Sequence, residues 1–110
     1  MQGDRRYQVH ILVPDEDSVV LALEGDVTGD VSQEIEEVLS ILVDQESQRV
    51  IVDLTEVSRL GAASARTLAA VAARASEAVS IICANRSLLA LLREAGVDRV
   101  CPLFSSMAAA

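Results

Sequence analysis

Asp53 follows the apolar run Val50-Ile51-Val52, and Asp15, Glu16 and Asp17 cluster in one short segment. Carboxylates brought together beside a buried strand can hold a cation or accept a phosphoryl group. Hydroxyls supply a second chemistry. Ser58 and Ser64 flank Gly61, and a serine near a helix start usually serves as a cap or a solvated hydroxyl. The thiols of Cys83 and Cys101 stand too far apart for a CxxC pair, and one histidine is too few for a usual zinc set. They read as buried, reduced cysteines, with a reversible disulfide open only if their strands lie adjacent.

Catalysis finds little to work with. No nucleophile elbow, Ser-His-Asp set or glycine-rich phosphate loop can be assembled. All nine basic residues are arginine, which rules out lysine-dependent chemistry. A phosphoacceptor domain of the response-regulator type needs a lysine as well, so Asp53 reads as an ordinary strand-end residue. The expectation is a non-enzyme with no catalytic residue, cofactor or metal.

Composition narrows the partners. A net charge of −8 leaves no cation excess to displace counterions from a phosphate backbone, and one Tyr, one Phe and no Trp make no stacking platform. Nucleic acid is therefore not expected, and a protein partner with a neutral or basic surface is. At 110 residues the chain makes one domain, large enough to bury roughly two-thirds of its unfolded surface. No apolar run reaches the roughly 20 residues of a membrane span and no signal-peptide core follows Arg5 and Arg6, so the expected location is cytoplasmic.

The elements that must position these groups follow from periodicity. Residues 1–6 carry no pattern and are expected to be disordered. Residues 7–13 alternate as a first strand with His10 on the outer face, residues 14–17 carry turn chemistry, and residues 18–24 make a second strand ending at Gly25. Val31, Ile35, Val38, Leu39 and Leu42 recur at helical spacing over residues 31–43, with Asp30 as N-cap and Gln33 completing a capping box. A central strand over residues 50–54 follows; strand, helix, strand implies parallel pairing and an interior position. A turn through Gly61 then opens an alanine-rich helix. Residues 79–83 are a fourth strand, Asn85 or Ser87 starts a third helix ending at Ala95-Gly96, and residues 97–103 return as a last strand.

The segment VIVDLTEVSRLGAASARTLAAV resembles the core of a STAS domain, the fold of bacterial anti-sigma factor antagonists. VVLALEGDV is similar to that family's second strand and following loop, and LLALLREAGVDRVCPLF to its third helix, glycine turn and final strand. The resemblance runs from residue 8 to residue 104 in the correct order. It implies an α/β fold: a single STAS-like domain over residues 7–110, with a mixed β-sheet of four to five strands and three to four helices packed mainly on one face.

The resemblance also implies a role. Switched antagonists carry an Asp and then a phosphorylatable Ser or Thr at the start of the second helix. Here Gly61 falls on the Asp, Ala62 on the acceptor, Ala63 on the next small position and Ser64 on the glycine. Alanine accepts no phosphoryl group, which leaves Ser64, and behind it Ser58, as substitute phosphosites. Thr28 stands where the family often has Asp, and Asp26 or Asp30 could supply that carboxylate. Arg59 and Arg66 flank the junction, either solvated and linked to acids such as Glu56 or paired with acids on a partner.

The expected docking surface is therefore the stretch Ser58 to Arg74 with help from the Asp26 to Asp30 loop, in particular Asp26, Thr28, Asp30, Ser58, Arg59, Gly61, Ala62, Ala63, Ser64 and Arg66. The implied partner is an anti-sigma factor of serine-kinase-like fold, whose capture would regulate sigma-factor-dependent transcription. Two other roles fit the same fold: a scaffold subunit of a stress-signalling or ABC lipid-transport complex, and a small-ligand or nucleotide sensor. Self-association as a homodimer is also open.

Overall fold

Val19, Leu21 and Leu23 lie on one side of a strand and Val20 and Ala22 on the other, and both sides are wanted. The computed structural model describes residues 7–28, 31–44, 49–75 and 78–106. Its elements are β1 (Tyr7–Asp15), β2 (Ser18–Val27), α1 (Val31–Val43), β3 (Arg49–Leu60), α2 (Ala62–Arg74), β4 (Val79–Ile82), α3 (Arg86–Glu94), α4 (Val97–Val100) and β5 (Leu103–Phe104). The strands form one sheet in the order β1-β2-β3-β4-β5. β1 pairs antiparallel with β2, and every later pairing is parallel. The sheet is thus mixed, and β3 lies at its centre.

One face of the sheet carries all the helices. Val19, Leu21, Leu23, Val50, Val52, Leu54 and Ile81 pack against Ile35 and Leu39 of α1, Leu68 and Val71 of α2, and Leu88 and Leu92 of α3. Burying each such side chain contributes about 1.5–3 kcal/mol relative to exposure, so this layer dominates the stability. A smaller cluster on the opposite face joins Val20, Ile51 and Ile82 with Ala22 and Phe104, all from strands. The expected single α/β domain with helices mainly on one face is what forms.

Several boundaries move. β1 continues through Pro14 to Asp15, so the turn is only Glu16-Asp17, closed by the Asp15 carboxylate accepting from the Asp17 N–H at 2.8 Å. β2 runs past Gly25, which takes a positive φ of 87°, and ends at Val27. The strand expected over residues 97–103 is instead one helical turn and a two-residue strand. Gly96 reverses the chain at φ 85°, and Val97 and Val100, three apart, face the core together on a helix as they would not on a strand. Residues 1–6, the expected N-cap Asp30 and residues 107–110 lie outside the described residues.

β3 is the largest departure. Between the pairs Ala22↔Asp53 and Val27↔Leu60, β2 advances five residues while β3 advances seven, with register shifts between Ala22 and Glu24 and between Gly25 and Asp26. β3 therefore absorbs two extra residues as bulges. Beyond Leu54 its buried positions are Val57 and Leu60, three apart, where a regular strand would bury every second residue.

Candidate functional site

The strand ends β2 and β3 bring two separate segments to one rim. The Gly61 N–H donates to the Val27 carbonyl at 2.9 Å, which fixes the start of α2 beside the end of β2. A Cβ at Gly61 would lie 3.4 Å from the Thr28 Cα, an ordinary contact, and φ is −79°. Neither space nor backbone demands glycine there. On the other segment the Thr28 hydroxyl donates to the Asp26 carboxylate at 2.6 Å, so that carboxylate stands beside the position where the STAS family often has its own.

Among the expected residues, Asp26, Thr28, Arg59, Gly61 and Ala62 converge on this rim. Arg59 is exposed and lies opposite Asp26 in the β2–β3 register. Ser58 is exposed and is the extra residue between the pairs Gly25↔Val57 and Asp26↔Arg59. Ala62 and Ala63 are exposed in the first turn of α2. Asp30 falls outside the described residues.

Ser64 departs from expectation. It is 0% exposed, and its Oγ has no hydrogen-bond partner among the described residues. It is neither a cap nor a solvated hydroxyl, because α2 has Gly61 at its N-cap with no side-chain capping bond, and Ser64 turns inward with Ala65 and Leu68. A hydroxyl so enclosed cannot meet a kinase active site without local opening of the helix.

Arg66 does not link to Glu56; among the described residues neither it nor Arg59 forms an ion pair with that acid. Arg66 instead lies between two shallow grooves. One, of about 320 Å³, runs between α1 and α2 and is lined by Ser32, Glu36, Ala63, Arg66, Thr67 and Ala70. The other, of about 210 Å³, runs between α2 and α3 and is lined by Ala62, Arg66, Leu91, Glu94 and Ala95. The outward stripe of α2 is thus Ala62, Ala63, Arg66, Ala70, Ala73 and Arg74, all exposed. The surface expected over residues 58–74 takes in this stripe, whereas the flanks from α1 and α3 lie outside that expectation. The signal for the stripe was present: exposed small residues at helical spacing, opposite the buried set Ala65, Leu68, Val71 and Ala72.

The alternative chemistries do not assemble. Asp53 lies inside β3, not at its end, and its carboxylate accepts from the Thr55 N–H at 2.9 Å. Asp17 accepts from the Arg49 N–H, so the acidic turn sits four residues away along β3, about 13 Å at strand rise. No group of three or more His, Cys, Asp or Glu gathers to hold a metal ion among the described residues. His10 is half-exposed and pairs with Glu24 at 3.0 Å across the hairpin.

The cysteines are both free and buried. β4 and β5 are neighbours, but the register pairs Ile81 with Leu103; Cys83 lies two residues past Ile81 and the extended Cys101 two residues before Leu103, an offset of about four residues. That offset, about 13 Å, far exceeds the roughly 7 Å limit between Cα atoms for a disulfide. Burial raises the Cys83 thiol above its ordinary pKa and pushes Cys101 up to about 11, so neither is a ready thiolate. The redox reading is withdrawn on that geometry.

Comparison with known proteins agrees with the fold. An anti-sigma factor antagonist from Mycobacterium paratuberculosis superposes with a TM-score of 0.82 at 14% identity, covering 98% of this chain and 93% of that one. The Bacillus cell fate determinant SpoIIAA in its phosphorylated form gives a TM-score of 0.68 at 13% identity, covering 93% and 96%. The unphosphorylated form of the antagonist SpoIIAA gives 0.70 at 13%, covering 93% and 92%. No curated protein matches the sequence. Among the described residues no helix is long and apolar enough to cross a membrane. The family model described as "Mlab, STAS domain" matches residues 12–105, and this chain belongs to the STAS domain family.

Proposed function

We propose that the protein is an anti-sigma factor antagonist that captures an anti-sigma factor on the rim formed by residues 26–28 and the exposed face of α2. The observation that carries this reading is the Gly61–Val27 hydrogen bond, which joins the two segments into one surface. The surface is built for close approach: alanines leave the α2 backbone near the partner, and Arg66 and Arg59 supply charges that can select an acidic counterpart.

Binding is constitutive at the usual switch position. Ala62 is exposed where a phosphorylated hydroxyl would block an apolar contact, and it has none to modify. Titration against the cognate anti-sigma factors is the test. A Kd tighter than about 10 μM for one of them supports the proposal, and failure of all of them at that level rejects it. Incubation with candidate kinases and ATP, read by mass spectrometry, is expected to leave Ser64 unmodified and would reveal whether exposed Ser58 has taken over.

The exposed Ala62 also favours a second reading, a permanent scaffold subunit, which needs no off-switch. Such a subunit would hold a stress-signalling complex or the ATPase of an ABC lipid transporter by the same α2 face. Co-purification with an ATPase subunit, lost on adding a carboxylate at Ala62, separates it from anti-sigma binding.

A further inference from the structure

β1 is the longer of the two edge strands of the sheet. Among the described residues no strand pairs with its outer side, so a row of backbone N–H and C=O groups faces outward as a template for another strand. Proteins blunt such edges with charges, proline or bulges. Here residues 7–13 contain no Lys, Arg, Asp or Glu; Pro14 lies just beyond them, and the irregularity between Leu12 and Asp15 takes in only the last of them, Val13. Ile11, Leu12 and Val13 are 52%, 55% and 64% exposed, consecutive apolar residues on both faces of one edge strand.

We propose that β1 pairs antiparallel with β1 of a second copy, joining two sheets into one. The chain carries a net charge of −8, which opposes self-association over most of its surface. The β1 edge is a stretch where two copies can meet without apposing carboxylates of that strand. The run is also self-complementary: a two-fold axis at Leu12 sets Leu12 against Leu12 and Ile11 against Val13, so apolar side chains meet on both faces. One strand per copy falls at or below the roughly 1,200 Å² of stable complexes, so the dimer is weak and concentration-dependent. Val20, opposite Leu12, lies seven residues from Val27 along β2, about 23 Å. The dimer therefore leaves the α2 surface open and stands independently of the proposed function.

Sedimentation equilibrium of the full chain from about 5 to about 500 μM tests it, a range that brackets Kd values for weak dimers. The mass of the wild type is expected to rise toward two chains. Leu12→Lys, which sets two cations against each other, is expected to stay monomeric with unchanged circular dichroism and melting temperature. Ile41→Lys, at a site on α1 that is 63% exposed, is expected to dimerise as the wild type does. In a separate arm, mild copper-phenanthroline oxidation is expected to cross-link Leu12→Cys and not Ile41→Cys. A wild type that remains monomeric throughout, a folded Leu12→Lys that still dimerises, or a dimer without the Leu12→Cys cross-link overturns the proposal.

Discussion

Two strand-to-helix junctions, β3–α2 and β4–α3, leave the same sheet and begin helices in different ways. At β4–α3 the Asn85 carboxamide accepts from the Ser87 N–H at 2.8 Å and the Leu88 N–H at 3.2 Å, and the Cys83 thiol donates to the Asn85 carbonyl at 3.7 Å. At β3–α2 the N-cap is Gly61 without a side-chain bond, the first two helical residues are exposed alanines, and the buried Ser64 hydroxyl is unpartnered. One junction satisfies its own backbone and the other does not. The first is closed by its own side-chain cap, while the second leaves an exposed, alanine-lined helix start without one.

The contrast can be broken most sharply at Ala62. If α2 is the docking face, Ala62→Glu should weaken partner binding at least 30-fold, about 2 kcal/mol, while Ser87→Glu at the capped junction should change it less than twofold; calorimetric titration reads both. Removing the Asn85 cap comes next. Asn85→Ala should cost about 1 kcal/mol of stability in urea unfolding, because two first-turn N–H groups lose their acceptor. Ser64→Ala runs the other way and should stabilise by up to about 1 kcal/mol, since it removes a buried hydroxyl that has no bond to lose. The smallest effect is expected from Gly61→Asp, which fits the extended N-cap backbone and should add a few tenths of a kcal/mol by capping α2. A destabilised Ser64→Ala or Gly61→Asp would show that the β3–α2 junction is satisfied in some other way, and would dissolve the comparison.

The capped junction was legible in the sequence, and the other was only half so. Asn85 ahead of the leucines of α3, and Gly96 after them, are strong local signals, and each does what its chemistry predicts. α1 likewise begins and ends where its apolar spacing puts it. β3 was hidden because the bulges break its alternation: Thr55-Glu56 and Ser58-Arg59 are exposed in pairs, which reads as a turn, although hydrogen bonding to β2 continues through Leu60. Ser64 was misjudged for a related reason. Its burial depends on how α2 is rotated over the sheet, and a polar residue gives no sign of being turned inward. The groove residues on α1 and α3, such as Glu36 and Glu94, come beside Arg66 only through tertiary packing, and no local pattern marks them.

The two extra residues in β3 split that strand into independently adjustable halves. Residues 49–53 keep an unbroken register with β2, while the residues after them, through two shifts, bury every third position instead of every second. Exchanging the second half, as a cassette, for that of a related domain would change the presented residues while leaving the Val50, Val52 and Leu54 layer as it is. Removing Ser58 alone would take out one bulge and restore alternation, with Val57 and Leu60 still inward and Arg59 between them outward. The bulges thus let the outward residues of the second half change while the core layer of the first half stays in place.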